Sequence, residues 1–79
     1  MIQVEVRLYA TLRRYHPEAG EGTVLLQMAE GTTLGHLLNR LGVPGEEARI
    51  FFVNNRQHNR DYSLQNGDRV AIFPLIAGG

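Results

Sequence analysis

The chain has 79 residues, no cysteine, 43% hydrophobic side chains and eight acidic residues against eight basic ones. It is therefore one small domain without disulfides, thiolate metal sites or cysteine nucleophiles of its own. A formal charge of zero points to neither nucleic acid nor an anionic membrane as a partner, and the basic residues are all arginine, so no lysine side chain offers an amine for an isopeptide bond.

The N-terminal stretch alternates strictly: Ile2, Val4, Val6 and Leu8 share one face, and Gln3, Glu5, Arg7 and Tyr9 the other. That is a half-buried strand, and it resembles neither a signal sequence nor a membrane span; a cytoplasmic location is expected. Ala10 to Tyr15 is expected to form a short helical turn, followed by a loop. Thr23 to Met28, rich in valine and leucine, is a second strand able to pair with the first as a hairpin.

Leu34, Leu37, Leu38 and Leu41 recur at helical spacing and define one apolar stripe. Thr33 is the expected N-cap, Gly42 suits a left-handed position past the helix end, Val43 supplies the accompanying apolar contact, and Pro44 stops propagation. Ile50 to Val53 is a third strand running into Asn54-Asn55, residues that tolerate positive φ. Arg56 to Tyr62 is a short strand or loop. Gln65-Asn66-Gly67-Asp68 is a turn, and Arg69 to Phe73 is the final strand, ended by Pro74. The order fits one mixed sheet of four or five strands around a main helix, an α+β arrangement. The domain spans residues 1–73, and residues 74–79 form a tail expected to be flexible.

Catalytic chemistry finds little purchase here. His16, His36 and His58 have no ligand spacing and are expected to be solvated. Glu46 and Glu47 follow Pro44 and are expected to mark a solvated helix start. A phosphate loop needs a lysine, and the single serine, Ser63, lacks a nucleophile elbow. The chain is expected to be no enzyme in itself and to bind no metal or cofactor.

The ending Leu75-Ile76-Ala77-Gly78-Gly79 is different. Glycine usage of about 7% places two terminal glycines in roughly 0.5% of chains by chance, so a physical use is worth seeking. Backbone without Cβ atoms can enter a narrow tunnel and present its carboxylate to another protein. That carboxylate is a poor electrophile until it is converted to an anhydride, so activation must come from outside.

Val53-Asn54-Asn55, Leu64-x-x-Gly67-Asp68-x-Val70, Phe73-Pro74 and the terminal Ala77-Gly78-Gly79, joined to this strand and helix order, resemble the MoaD/ThiS family of ubiquitin-like sulfur carriers. The resemblance runs over essentially the whole chain. The segment between the first two strands and the Ile72 to Gly79 ending look more like the small subunit of molybdopterin synthase than the thiamine-pathway carrier. The resemblance implies a β-grasp fold. It also implies that Gly79 is adenylated by a ubiquitin-activating-like enzyme using ATP and magnesium, and then converted to a thiocarboxylate. The sulfur would go to cyclic pyranopterin monophosphate, with the tail, Ala77, Gly78 and Gly79, inserted into the large synthase subunit. Alternatives are the same chemistry feeding thiamine thiazole or another acceptor, and a ubiquitin-like modifier of other proteins. Asn55 stands where the family turn often has glycine, and His36 where family helices often carry an acid that completes a capping box.

Alternation also marks an interface. It turns Tyr9, Arg7, Arg69 and Phe73 outward on strands that are neighbours in a β-grasp, so an aromatic pair flanked by arginines lies beside Pro74 and the tail, a composition favoured at interface centres. A small second core beneath Ala10 to Tyr15 is the competing use of these aromatics.

Overall fold

The computed structural model of the chain describes residues 1–16 and 23–75. Strands β1 (Ile2–Leu8), β2 (Val24–Met28), β3 (Ile50–Val53), β4 (Arg56–His58) and β5 (Arg69–Phe73) form a sheet in the order β2-β1-β5-β3-β4. β1 and β5 are parallel, with Glu5 opposite Arg69 and Leu8 opposite Ile72, while β1–β2, β3–β5 and β3–β4 are antiparallel. A 3-10 turn, Ala10–Tyr15, follows β1, and the helix α1, Leu34–Leu41, crosses between β2 and β3. No helix among the described residues is long and apolar enough to cross a membrane.

Period-two burial sorts the sheet into an inner and an outer face. Ile2, Val4, Val6 and Leu8 from β1, Phe51 and Val53 from β3, and Val70 and Ile72 from β5 join all four leucines of the α1 stripe in one core. Leu12 enters from the 3-10 turn and Leu64 from the loop before β5, both fully buried. A fully buried leucine removed from water stabilises the fold by roughly 1.5–3 kcal/mol, which is why α1 holds despite its eight residues.

The helix ends as expected. Thr33 caps α1: its hydroxyl oxygen accepts from His36 N, and His36 Nδ1 accepts in return from Thr33 N at 3.4 Å, so histidine fills the place of the acid in a capping box. Leu34 N and Gly35 N donate to Tyr62 O and Arg60 O, both at 3.1 Å, which satisfies two more donors of the first turn. Gly42 at φ 74° and the bond from Val43 N to Leu38 O close the far end. Asn54 and Asn55, at φ 52° and 70°, make the tight turn between β3 and β4.

Two expectations change. Glu46 and Glu47 do not open a helix; residues 45–47 form a turn, and Glu47 is clasped rather than solvated. Its Oε1 accepts from Arg14 Nη2 and its Oε2 from the Tyr15 hydroxyl, each at 2.6 Å, tying the 3-10 turn to the connection after α1. The histidines are not simply solvated either. His36 caps the helix, His16 Nε2 lies 3.0 Å from Leu41 O, and His58 packs against the Tyr62 ring at 4.1 Å. Each polar ring serves a backbone group or a neighbouring aromatic.

Candidate partner-binding face

α1 covers only the inner face of the sheet. On the outer face the residues lie in rows set by register: Arg7, Ala71 and Phe52 form one, and Glu5 and Arg69 stand opposite each other in the next. Tyr9 N donates to Ile72 O at 3.1 Å, which extends the ladder one residue past β1, and Arg49 N donates to Phe73 O at 3.0 Å. These bonds place Tyr9 and Phe73 side by side. Their rings stack with centroids 4.3 Å apart at 17°, and Phe52 meets Phe73 edge-on at 5.8 Å and 87°.

Tyr9, Phe52 and Phe73 are half-buried by one another and lie outside the core cluster. A second core beneath the 3-10 turn is thereby ruled out for this pair, since the buried residue of that turn, Leu12, points into the main core instead. Arg7 Cζ lies 6.0 Å from the Tyr9 centroid, at the limit of a cation–π contact. Arg69 Nε stands 3.7 Å from Glu5 Oε2, an exposed pair worth little by itself. Pro74 follows Phe73 half-buried, and Leu75 is 58% exposed. Ala77, Gly78 and Gly79 lie outside the described residues.

Arg7, Tyr9, Phe73 and Pro74 are thus brought together, and Arg69 stands one row away. Phe52 is the member that alternation did not single out. Ile50-Phe51-Phe52-Val53 is apolar throughout, so only the pairing of Phe51 with Ile72 and Phe52 with Ala71 decides which aromatic faces out. Leu25, 60% exposed and opposite Glu5, extends the same face towards β2.

A hollow of about 330 Å³ lies over β5, lined by Arg7, Tyr9, Phe52, Asn54, Asn55, Arg69 and Ala71 among others. Its lower rim is fixed by a buried carboxylate. Asp68, 5% exposed, accepts from Asn54 Nδ2 at 2.9 Å, from Gln65 N at 2.8 Å and from the Tyr62 hydroxyl at 3.4 Å. Burial, then the repulsion of the Asp68 carboxylate and the hydrogen bond to it, push the Tyr62 phenol above its ordinary value. At the 3-10 turn, the bond to Tyr15 and the charge of Glu47 raise the Arg14 guanidinium in the same direction.

Among the described residues, a mixed sheet with β1 and β5 parallel at its centre, an α-helix on one face and half-buried aromatics on the other defines a ubiquitin-like protein of the β-grasp fold. The profile of the Mut7-C ubiquitin family matches residues 1–78, and the chain belongs to that family. Solved structures of several proteins share the fold. A Pyrococcus furiosus protein assigned as molybdopterin converting factor subunit 1 is 24% identical with a TM-score of 0.73, over 96% of this chain and 100% of its own. Small archaeal modifier protein 1 of Haloferax volcanii is 20% identical with a TM-score of 0.73, again over 96% and 100%. A third is in a complex of subunits 1 and 2 of the Helicobacter pylori molybdopterin-converting factor, 21% identical with a TM-score of 0.60, over 99% and 100%. No curated protein matches the chain.

Proposed function

We propose that this chain is a ubiquitin-like sulfur carrier that serves as the small subunit of a molybdopterin synthase. The observation that carries the reading is the aromatic stack of Tyr9 and Phe73, held on a sheet face that no described element covers and immediately before Pro74 in a sequence that runs on to Gly78-Gly79. A docking face beside a slender tail is what a carrier needs: the face binds the partner, and the glycines deliver their carboxylate to chemistry performed there. The fold shared with a molybdopterin converting factor subunit 1, and with such a subunit in complex with subunit 2, supports the same partner here.

In this reading the Gly79 carboxylate attacks the α-phosphate of ATP in an activating enzyme that holds the magnesium, releasing pyrophosphate. Hydrosulfide, or a donor at the same oxidation level, then attacks the acyl carbon and displaces AMP, leaving a thiocarboxylate. The large synthase subunit receives the tail, and the sulfur passes to the pterin precursor. This chain contributes the reactive end and the surfaces that position it, and no catalytic side chain.

Similarity of fold to small archaeal modifier protein 1 favours a second reading, in which Gly79 is joined to amines of other proteins. Intact-mass analysis of the chain from its native cells separates the two. A carrier gains one sulfur in exchange for one oxygen on its C-terminal peptide. A modifier instead appears in high-mass adducts that vanish when Gly79 is deleted. Neither species, in cells making the cofactor, removes both readings.

A further inference from the structure

The hollow over β5 exists because of one small side chain. Ala71 sits in register between Arg7 on β1 and Phe52 on β3, so a single methyl group is flanked by two long side chains. Tyr9 and Arg69 close it along the strand direction, and Asn54 and Asn55 form the wall on the β3 side. At about 330 Å³ it has room for one large side chain and its immediate neighbours.

Its polar groups are unevenly spent. Asn54 is consumed by Asp68 and the Arg69 backbone. Among the described residues Glu5 is the one acid lining the hollow, and it faces Arg69. Among the described residues the Arg7 guanidinium has no hydrogen bond or ion pair, only the Tyr9 ring, and the Asn55 amide has no partner. Counted over the described residues, two guanidinium groups against one carboxylate leave a local positive charge in a chain whose formal charge is zero, and it lies beside apolar ring surface.

We propose that this hollow receives a carboxylate-bearing side chain of the partner protein, glutamate or aspartate. Its charge sits between Arg7 and Arg69, and its methylene stem rests on Ala71 beside Phe52 and Tyr9. Arginine suits this task, since its planar fork can hold a carboxylate by two bonds and its weak hydration makes burial at an interface tolerable. The stacked aromatics provide the apolar contact, and the socket sets the register of docking. The identity of the partner, the large synthase subunit, rests on the carrier reading above.

The test is titration of the full chain into the purified large subunit, for the wild type, Ala71→Leu and Arg7→Glu, over a range of salt. Both variants are expected to bind at least about tenfold more weakly, and wild-type binding is expected to weaken with salt more steeply than that of Arg7→Glu. Position 71 faces outward, so leucine there leaves the core untouched; if that variant nevertheless fails to fold, Arg7→Glu decides alone. Folded variants binding within about twofold of the wild type overturn the socket and leave the carrier reading standing. A wild-type chain that does not bind the large subunit removes the carrier reading and the socket's partner together.

Discussion

Asn54 Nδ2 donates to Asp68 Oδ1 at 2.9 Å while Asn54 Oδ1 accepts from Arg69 N at 3.0 Å, so one side-chain amide ties the β3–β4 turn to the start of β5. Asp68→Ala strips this amide, Gln65 N and the Tyr62 hydroxyl of their common acceptor. A loss of about 2–3 kcal/mol in chemical denaturation is expected, since abandoned donors near the interior lose more than the bond itself gave. A stability within 0.5 kcal/mol, roughly the noise of a surface change, would return Asp68 to ordinary solvation.

Tyr62 carries a pH signature. Its phenol titrates above the free value in the fold, so its contribution is fully present below about pH 10, the unfolded value, and is lost as pH rises through the higher folded value. Stability should decline on the alkaline side, and Tyr62→Phe should flatten that decline. Ultraviolet titration of folded and denatured protein checks the order of the two values.

Leu38 is 2% exposed beneath α1. Leu38→Ala opens a cavity between helix and sheet and is expected to cost about 2–5 kcal/mol. A neutral outcome refutes the assignment of the leucine stripe to the core.

Glu47 holds Arg14 and the Tyr15 hydroxyl at once. Because Arg14 and Glu47 are 60% and 31% exposed, Glu47→Gln should cost only about 1 kcal/mol or less globally. The local effect is larger: amide exchange at Leu12 and His16, whose N–H groups close the 3-10 turn, should accelerate relative to α1. Unchanged exchange there means the clasp is ornamental.

Phe73→Ala should weaken association with the large subunit more than it lowers stability, because the ring packs on Tyr9 and Phe52 outside the core. Equal losses in both measurements would make Phe73 a structural residue. Gly78→Val should block conversion of the C-terminal carboxylate while the melting temperature stays near that of the wild type; a lowered melting temperature would give position 78 a part in the fold.

Much of this architecture was legible in short-range pattern. Alternation and leucine spacing locate β1, α1 and β5, and a short apolar run ending in two asparagines locates β3, because side-chain period and turn chemistry are local and burial enforces the first. Asn54-Asn55 and Gly42 announce their turns through the conformations they alone tolerate cheaply. Glu47 was not legible: its partners lie 32 and 33 residues earlier in the chain, and no local period reports such a meeting. Phe52 stayed hidden for a related reason, since an unbroken apolar run has no alternation and only its pairing with β5 gives it a side. The socket at Ala71 is likewise a property of three strands at once, invisible in any one of them.

The parallel seam of β1 with β5 pairs residues far apart in the chain, Glu5 with Arg69 and Leu8 with Ile72. A chain lacking Arg69 to Phe73 has no central strand, and β3 and β4 have nothing to attach to. That long closure has to be made before the sheet rewards it, so refolding is expected to be slower than that of a helical domain of equal size. The stacked rings of Tyr9 and Phe73 therefore form only when the whole sheet does, and the platform is as cooperative as the core beneath it.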